Sequence, residues 1–179
     1  DCPGPAGRLA AIRQLFFARD ESLGQRRIPL TRQAAPFVEN SRWTAGNVVF
    51  ATLNVPGSTG KSAGAEALST ANIAWLHATF DTAEALASRA VMIIWQDDPF
   101  DGNSDSDLES VLIERSRRFG KPVVLAHGDT HTYRLGKNWR EAPNLIEVQT
   151  FALEDTDWWV HVRVDPSSPD VFSFEKQQS

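Results

Sequence analysis

The run from Val123 to Tyr133, VVLAHGDTHTY, passes from an apolar stretch into a turn where two histidines flank a carboxylate within five residues. Imidazole and carboxylate are side chains that bind divalent metals and move protons near neutral pH. Such a run is a catalytic corner, half of a metal site, or the polar end of a buried strand. Asp129 and His131 follow Gly128, and a tight turn at that glycine directs both side chains to one side of the strand end as a metal-binding pair. His127 directly follows the apolar residues and reads more simply as a half-buried histidine bonded to backbone.

The elements around this run decide what else can reach it. Leu9, Ile12 and Phe16 recur at helical spacing near the start of the chain, which predicts a helix with those residues on its buried face. Residues 20–46, punctuated by Pro29 and Pro36, read as a long irregular segment. Residues 47–55, NVVFATLNV, are too continuously apolar to alternate and predict a strand buried on both faces. A Gly/Ser loop follows at 56–69, where Ser69 or Thr70 can cap a helix that buries Ile73, Leu76, Phe80 and Ala83.

A second buried strand is predicted at 90–95, AVMIIW, and then a polar turn in which Asp97, Asp98 and Asp101 are expected to be solvated. Asp105 or Asp107 can cap the next helix, which carries Leu108, Val111, Leu112 and Arg115 and stops at Gly120. Strand, helix, strand, helix, strand over 47–127 is the sequence form of a parallel sheet covered by helices, so the expected class is α/β. From 144 onward only strands follow, and these are expected to pair antiparallel.

Ligands of open α/β sheets bind beyond the carboxyl ends of the parallel strands. Three such ends are legible: Asn54, then Gln96 with Asp97 and Asp98, then His127 through His131. Neighbouring strands would bring these groups together. His77, beside the buried stripe of its helix, and His161, alternating with valines, read as structural or solvated. Gly60-Lys61-Ser62 matches the end of a phosphate-binding loop, but Val55 stands where the motif needs glycine and Pro56 removes a backbone donor, so a nucleotide loop is rejected.

The order TLNVPGS, NIAWL, VMIIWQDDP, PVVLAHGDTHTYR resembles the C-terminal half of the calcineurin-like metallophosphoesterases, in particular a bacterial branch with altered metal motifs. The resemblance covers roughly residues 47–151. It implies a four-layered α/β/β/α sandwich with two divalent metal ions at the strand ends, hydrolysing a phosphomonoester or phosphodiester. Gly128-Asp129-Thr130-His131 lies on the superfamily's Gly-His-x-His turn, so His131 takes the place of the second histidine and Asp129 that of the first; Gln96 stands where the preceding histidine would be. On this resemblance His131, Asp129 and Gln96 are the metal ligands and His127 supports them without touching the ion. Arg134 and Asn54 contact the phosphate ester, although a surface arginine is an equal reading of Arg134. Two carboxamide or carboxylate oxygens in place of imidazoles favour Mn, Mg or Ca over Zn.

The superfamily's first three metal motifs have no counterpart ahead of residue 47. The resemblance therefore implies one N-terminally truncated domain over 1–179, whose few ligands cannot complete a two-metal centre alone. Two other classes compete with a phosphoesterase. One is a degenerate, non-catalytic relative serving as a binding module. The other is a small hydrolase using His127 and a carboxylate, which lacks a Gly-x-Ser-x-Gly nucleophile.

Composition narrows partners. A net charge of −5 offers no broad footprint for nucleic acid, and no apolar run approaches the roughly 20 residues of a membrane-spanning helix. Six tryptophans and 41% hydrophobic residues describe a chain that folds. The single Cys2 is a free thiol, an intermolecular partner, or half of a disulfide with a cysteine upstream; the last would place the protein in the periplasm or outside the cell.

Overall fold

A computed structural model describes residues 4–56, 64–99, 105–136, 139–151 and 156–179. The element order is α1 (Pro5–Phe16), β1 (Thr31–Arg32), β2 (Ser41–Ala45), β3 (Val48–Thr52), α2 (Ala65–Ala85), β4 (Ala90–Ile94), α3 (Ser106–Phe119), β5 (Val123–His127), β6 (Arg134–Gly136), β7 (Leu145–Gln149), β8 (Trp158–Val164) and β9 (Phe172–Gln178). Cys2, Asp101, and Gly60, Lys61 and Ser62 lie outside the described residues.

Seven strands form one sheet in the order β1-β2-β3-β4-β5-β7-β6. Strands β3, β4, β5 and β7 run parallel, while β1, β2 and β6 add antiparallel margins. The class is α/β, as the alternation of apolar runs and helical stripes predicts. Side-chain alternation divides the core in two. Val49, Ala51, Val91, Ile93, Val123, Leu125 and Leu145 meet Trp75, Leu76, Phe80, Leu108 and Leu112 of α2 and α3. Val48, Ala90, Met92, Val124 and Val148 meet Val171 and Phe172, with Val160, Val162, Val164 and Phe174 packed around them. The antiparallel pair β8–β9 thus covers the face opposite the helices.

Helix α3 begins and ends as its sequence predicts. The Asp105 carboxylate accepts from Leu108 N at 3.1 Å, and Gly120 closes the helix in the left-handed region. Helix α2 starts earlier than expected: Gly64, not Ser69 or Thr70, is its N-cap, so Ser69 and Thr70 are interior. Leu76, Phe80 and Ala83 are fully buried and Ile73 is half-buried. Helix α1 forms, but Leu9, Ile12 and Phe16 are exposed, a correction to the buried stripe its spacing suggests. It is tied to the body by the Arg13–Glu39 ion pair at 2.7 Å.

Two strand expectations are corrected. The segment 20–46 is not wholly irregular, because β2 pairs antiparallel with β3 through a two-residue turn. Gly46 and Asn47 both take left-handed φ, 55° and 61°, the geometry whose twist matches that of the flanking strands. Strand β7 joins the sheet parallel to β5, not antiparallel. Residues 128–144 make a connection long enough to carry the chain back along the sheet, laying β6 on its margin and burying Trp139 and Ala142 on the helix side. The expected antiparallel pairing holds for β8 and β9.

Candidate functional site

The helix-facing positions of β5 are Val123, Leu125 and His127, and those of β7 are Leu145, Glu147 and Gln149. One face is therefore apolar along most of its length and polar at the carboxyl ends. Ladder register sets His127 opposite Gln149 and Leu125 opposite Glu147. On the outer side of β7, Arg134 of β6 is also opposite Gln149. Beyond β4 the chain stays pinned between its neighbours: Trp95 N donates to Ala126 O, Asp97 N to Val55 O and Gly128 N to Gln96 O. That pinning buries Asp97 and Asp98, correcting the solvated turn expected from so polar a segment.

The result is a compact charged cluster. His127 Nε2 lies 2.9 Å from Glu147 Oε1, and Arg134 Nε donates to the same oxygen at 2.7 Å. Arg134 Nη2 donates to both oxygens of Asp98, at 3.1 and 3.2 Å. Thr130 Oγ1 donates to Asp98 Oδ2 at 3.3 Å, and Gln149 Nε2 donates to Thr130 Oγ1. The side chains of His127 and Glu147 have no exposure and that of Asp98 has 3%, whereas that of Arg134 has 39%. Burial works against the Arg134 cation, but the bond and charge of Glu147, then those of Asp98, outweigh it and raise its pKa above the ordinary value.

Asp98, His127 and Glu147 could hold a metal ion: one ligand atom from each lies within 4.8 Å of the others. The donor set fits, being one imidazole and two carboxylates. His127 also fits in orientation. Its Nδ1 lies 3.2 Å from Gly128 O, so with Nε2 on a cation the remaining N–H has an acceptor waiting.

The residues that resemblance nominates as ligands are distributed differently. Gln96 Nε2 donates to Asp129 Oδ1, so these two meet each other at the rim of the cluster. The ring of His131 is exposed and makes no hydrogen bond or ion pair to a described residue. The left-handed residues of the turn are Asp129 (φ 77°) and His131 (φ 65°), not Gly128, whose N–H extends the ladder to Gln96. Arg134 is no isolated surface arginine; it bridges Asp98 and Glu147. Asn54 joins a separate network through its backbone, donating to Asn40 Oδ1 at 2.6 Å and accepting from Asn72 Nδ2 at 2.9 Å. His77 lies 3.2 Å from an Arg115 nitrogen between α2 and α3, and His161 lies 4.0 Å from Glu175 on the hairpin.

Glu147 and Gln149 escape the sequence reading, and Asp98 is assigned there to solvent. The signal was present in NLIEVQ, where a carboxylate and a carboxamide interrupt an otherwise apolar strand at alternate positions. Comparison with family models, curated proteins and solved structures returns no match for this chain. No described helix is long and apolar enough to cross a membrane.

Proposed function

We infer that this chain carries the metal-holding strand ends of a metallophosphoesterase-like hydrolase. One observation supports the reading above others: an imidazole and two carboxylates, all buried, stand within ligand distance at the carboxyl ends of adjoining parallel strands. Asp98, His127 and Glu147 would hold one divalent ion. Two oxygen ligands with one imidazole suit Mn(II) best among Mn, Mg, Ca and Zn. A bound ion supplies polarisation of a phosphoryl oxygen and a water that ionises near neutral pH.

Hydrolysis by a metal pair needs more ligands than these three. In this reading Gln96, Asp129 and His131 on the adjoining turn hold part of a second ion, an N-terminal half supplies the rest, and the whole forms a four-layered α/β/β/α sandwich. The substrate is a phosphomonoester or phosphodiester, with Arg134 on the phosphate and Asn54 farther along the strand ends. The chain should bind one Mn(II), followed by electron paramagnetic resonance, and lose it in Glu147→Gln; absence of binding at millimolar metal sinks the reading. Hydrolysis of bis(p-nitrophenyl) phosphate, assayed in a completed protein, should track metal occupancy.

A second reading, a non-catalytic binding module, has its own support. Arg134 already gives both carboxylates the counter-charge that a metal would bring.

A further inference from the structure

Among the described residues, four titratable side chains meet at the strand ends, and of these four Arg134 is the one well exposed to solvent. His127, Glu147 and Asp98 are essentially inaccessible, while Arg134 is 39% exposed and bonded to both carboxylates. Of these four groups the guanidinium is therefore the one most open to exchange with solvent. Arg134 also sits on one of the sheet's two short margins: β6 has three residues, is an outermost strand among the described residues, and pairs there with β7. Such a strand can shift without opening the core. Behind it Gln149 is fully buried, and its Oε1 has no hydrogen-bond partner among the described residues, leaving a hard oxygen donor beside Thr130 and Asp98.

We propose that Arg134 is an exchangeable cation: a divalent metal entering between Asp98, His127 and Glu147 displaces its guanidinium, which moves outward and becomes available to an anion. The proposal rests on the metal-binding reading above and adds a direction to it. Charge balance favours the exchange, because two buried carboxylates need a cation in either state and are poorly served by both cations at once. The displaced guanidinium keeps its charge and its planar fork of donors, suited to a phosphate ester. Metal loading would then switch on anion recognition.

The test compares Mn(II) binding by the 179-residue chain and by Arg134→Gln, which retains hydrogen bonding without charge. Exchange predicts tighter binding in the variant by about ten- to a hundredfold, the range of a charge-assisted contact removed from competition. A residue that merely supports the ligands would give weaker binding on substitution. Equal or weaker binding in Arg134→Gln, with the unsubstituted chain still binding, overturns the exchange and leaves the metal site standing. No binding by either chain removes both. A second readout needs no variant: Mn(II) should speed modification of Arg134 by phenylglyoxal, followed by peptide mass, and unchanged or slowed modification overturns the exchange.

Discussion

Two regions of the molecule use the same four side-chain types in opposite arrangements. Between α2 and α3, Arg115 bonds Asp81 at 2.6 Å and Glu84 at 3.5 Å, lies 3.2 Å from His77 Nδ1, and stacks over Phe80 at 5.5 Å. At the strand ends, Arg134 bonds Asp98 and Glu147 beside His127. The first buries the cation at 8% exposure and leaves its carboxylates at 66% and 35%. The second buries the carboxylates and leaves the cation at the surface. Formal charge is the same in both, but burial decides the chemistry. Exposed carboxylates are hydrated with or without Arg115, so that network is a clamp between helices. Buried carboxylates demand a cation from whatever source, so the strand-end network is the candidate site.

The sharpest break in this comparison comes from the buried acids. Glu147→Ala should destabilise the chain by about 3 kcal/mol in urea unfolding, the lower end for breaking a buried pair, since the half-exposed Arg134 left behind can be hydrated. Arg115→Ala should cost less, about 1–2 kcal/mol, because its partners return to water and the loss is largely packing and ring contact. Mn(II) should raise the melting temperature of Arg134→Ala by more than that of the unsubstituted chain, and that of Arg115→Ala only by the unsubstituted chain's increment; equal increments in both variants would erase the distinction between site and clamp.

Away from either network, Gly46→Ala tests the β2–β3 turn. Its φ of +55° and a Cβ position 3.4 Å from Pro166 Cγ predict a loss of about 1 kcal/mol. The smallest effect belongs to the fully exposed Asp165. Its bonds to the Ser167 hydroxyl and N–H hold its pKa below the ordinary carboxylate value. A depressed folded pKa contributes stability that is present above the unfolded pKa and lost as pH falls through the folded one. Asp165→Asn should therefore be slightly less stable than the parent near neutral pH, with the gap narrowing in acid; a gap that widens in acid would contradict the assignment.

What was legible in the sequence follows from what local pattern encodes. The apolar runs of β3, β4 and β5 and the stripes of α2 and α3 announce elements whose faces are all committed, and Gly120 and Asp105 mark helix ends by their own backbone and capping chemistry. Direction is not local: NLIEVQ reads as a strand, but only the return path through 128–144 makes it parallel to β5. The Gly46-Asn47 turn is a local signal, masked by the proline and polar residues of the segment before it. The convergence of strand ends was also legible, and it draws His127 and Asp98 together. The particular candidate ligands were not, because what covers Glu147 depends on which elements pack beside its strand, and Asp98 is buried where backbone bonds to Val55, Ala126 and Gly128 hold the neighbouring residues 95–97, which no spacing reveals.

The turn and the strand end make opposite claims on the metal, and one pair of substitutions separates them. Mn(II) titration of His127→Ala and His131→Ala tests the claim that the buried cluster is the site. His127→Ala should abolish binding and His131→Ala should leave the affinity for the first ion within a few-fold of the unsubstituted chain. Loss of binding in His131→Ala with retention in His127→Ala would move the site to the turn and reduce Asp98, His127, Glu147 and Arg134 to a buried ion network.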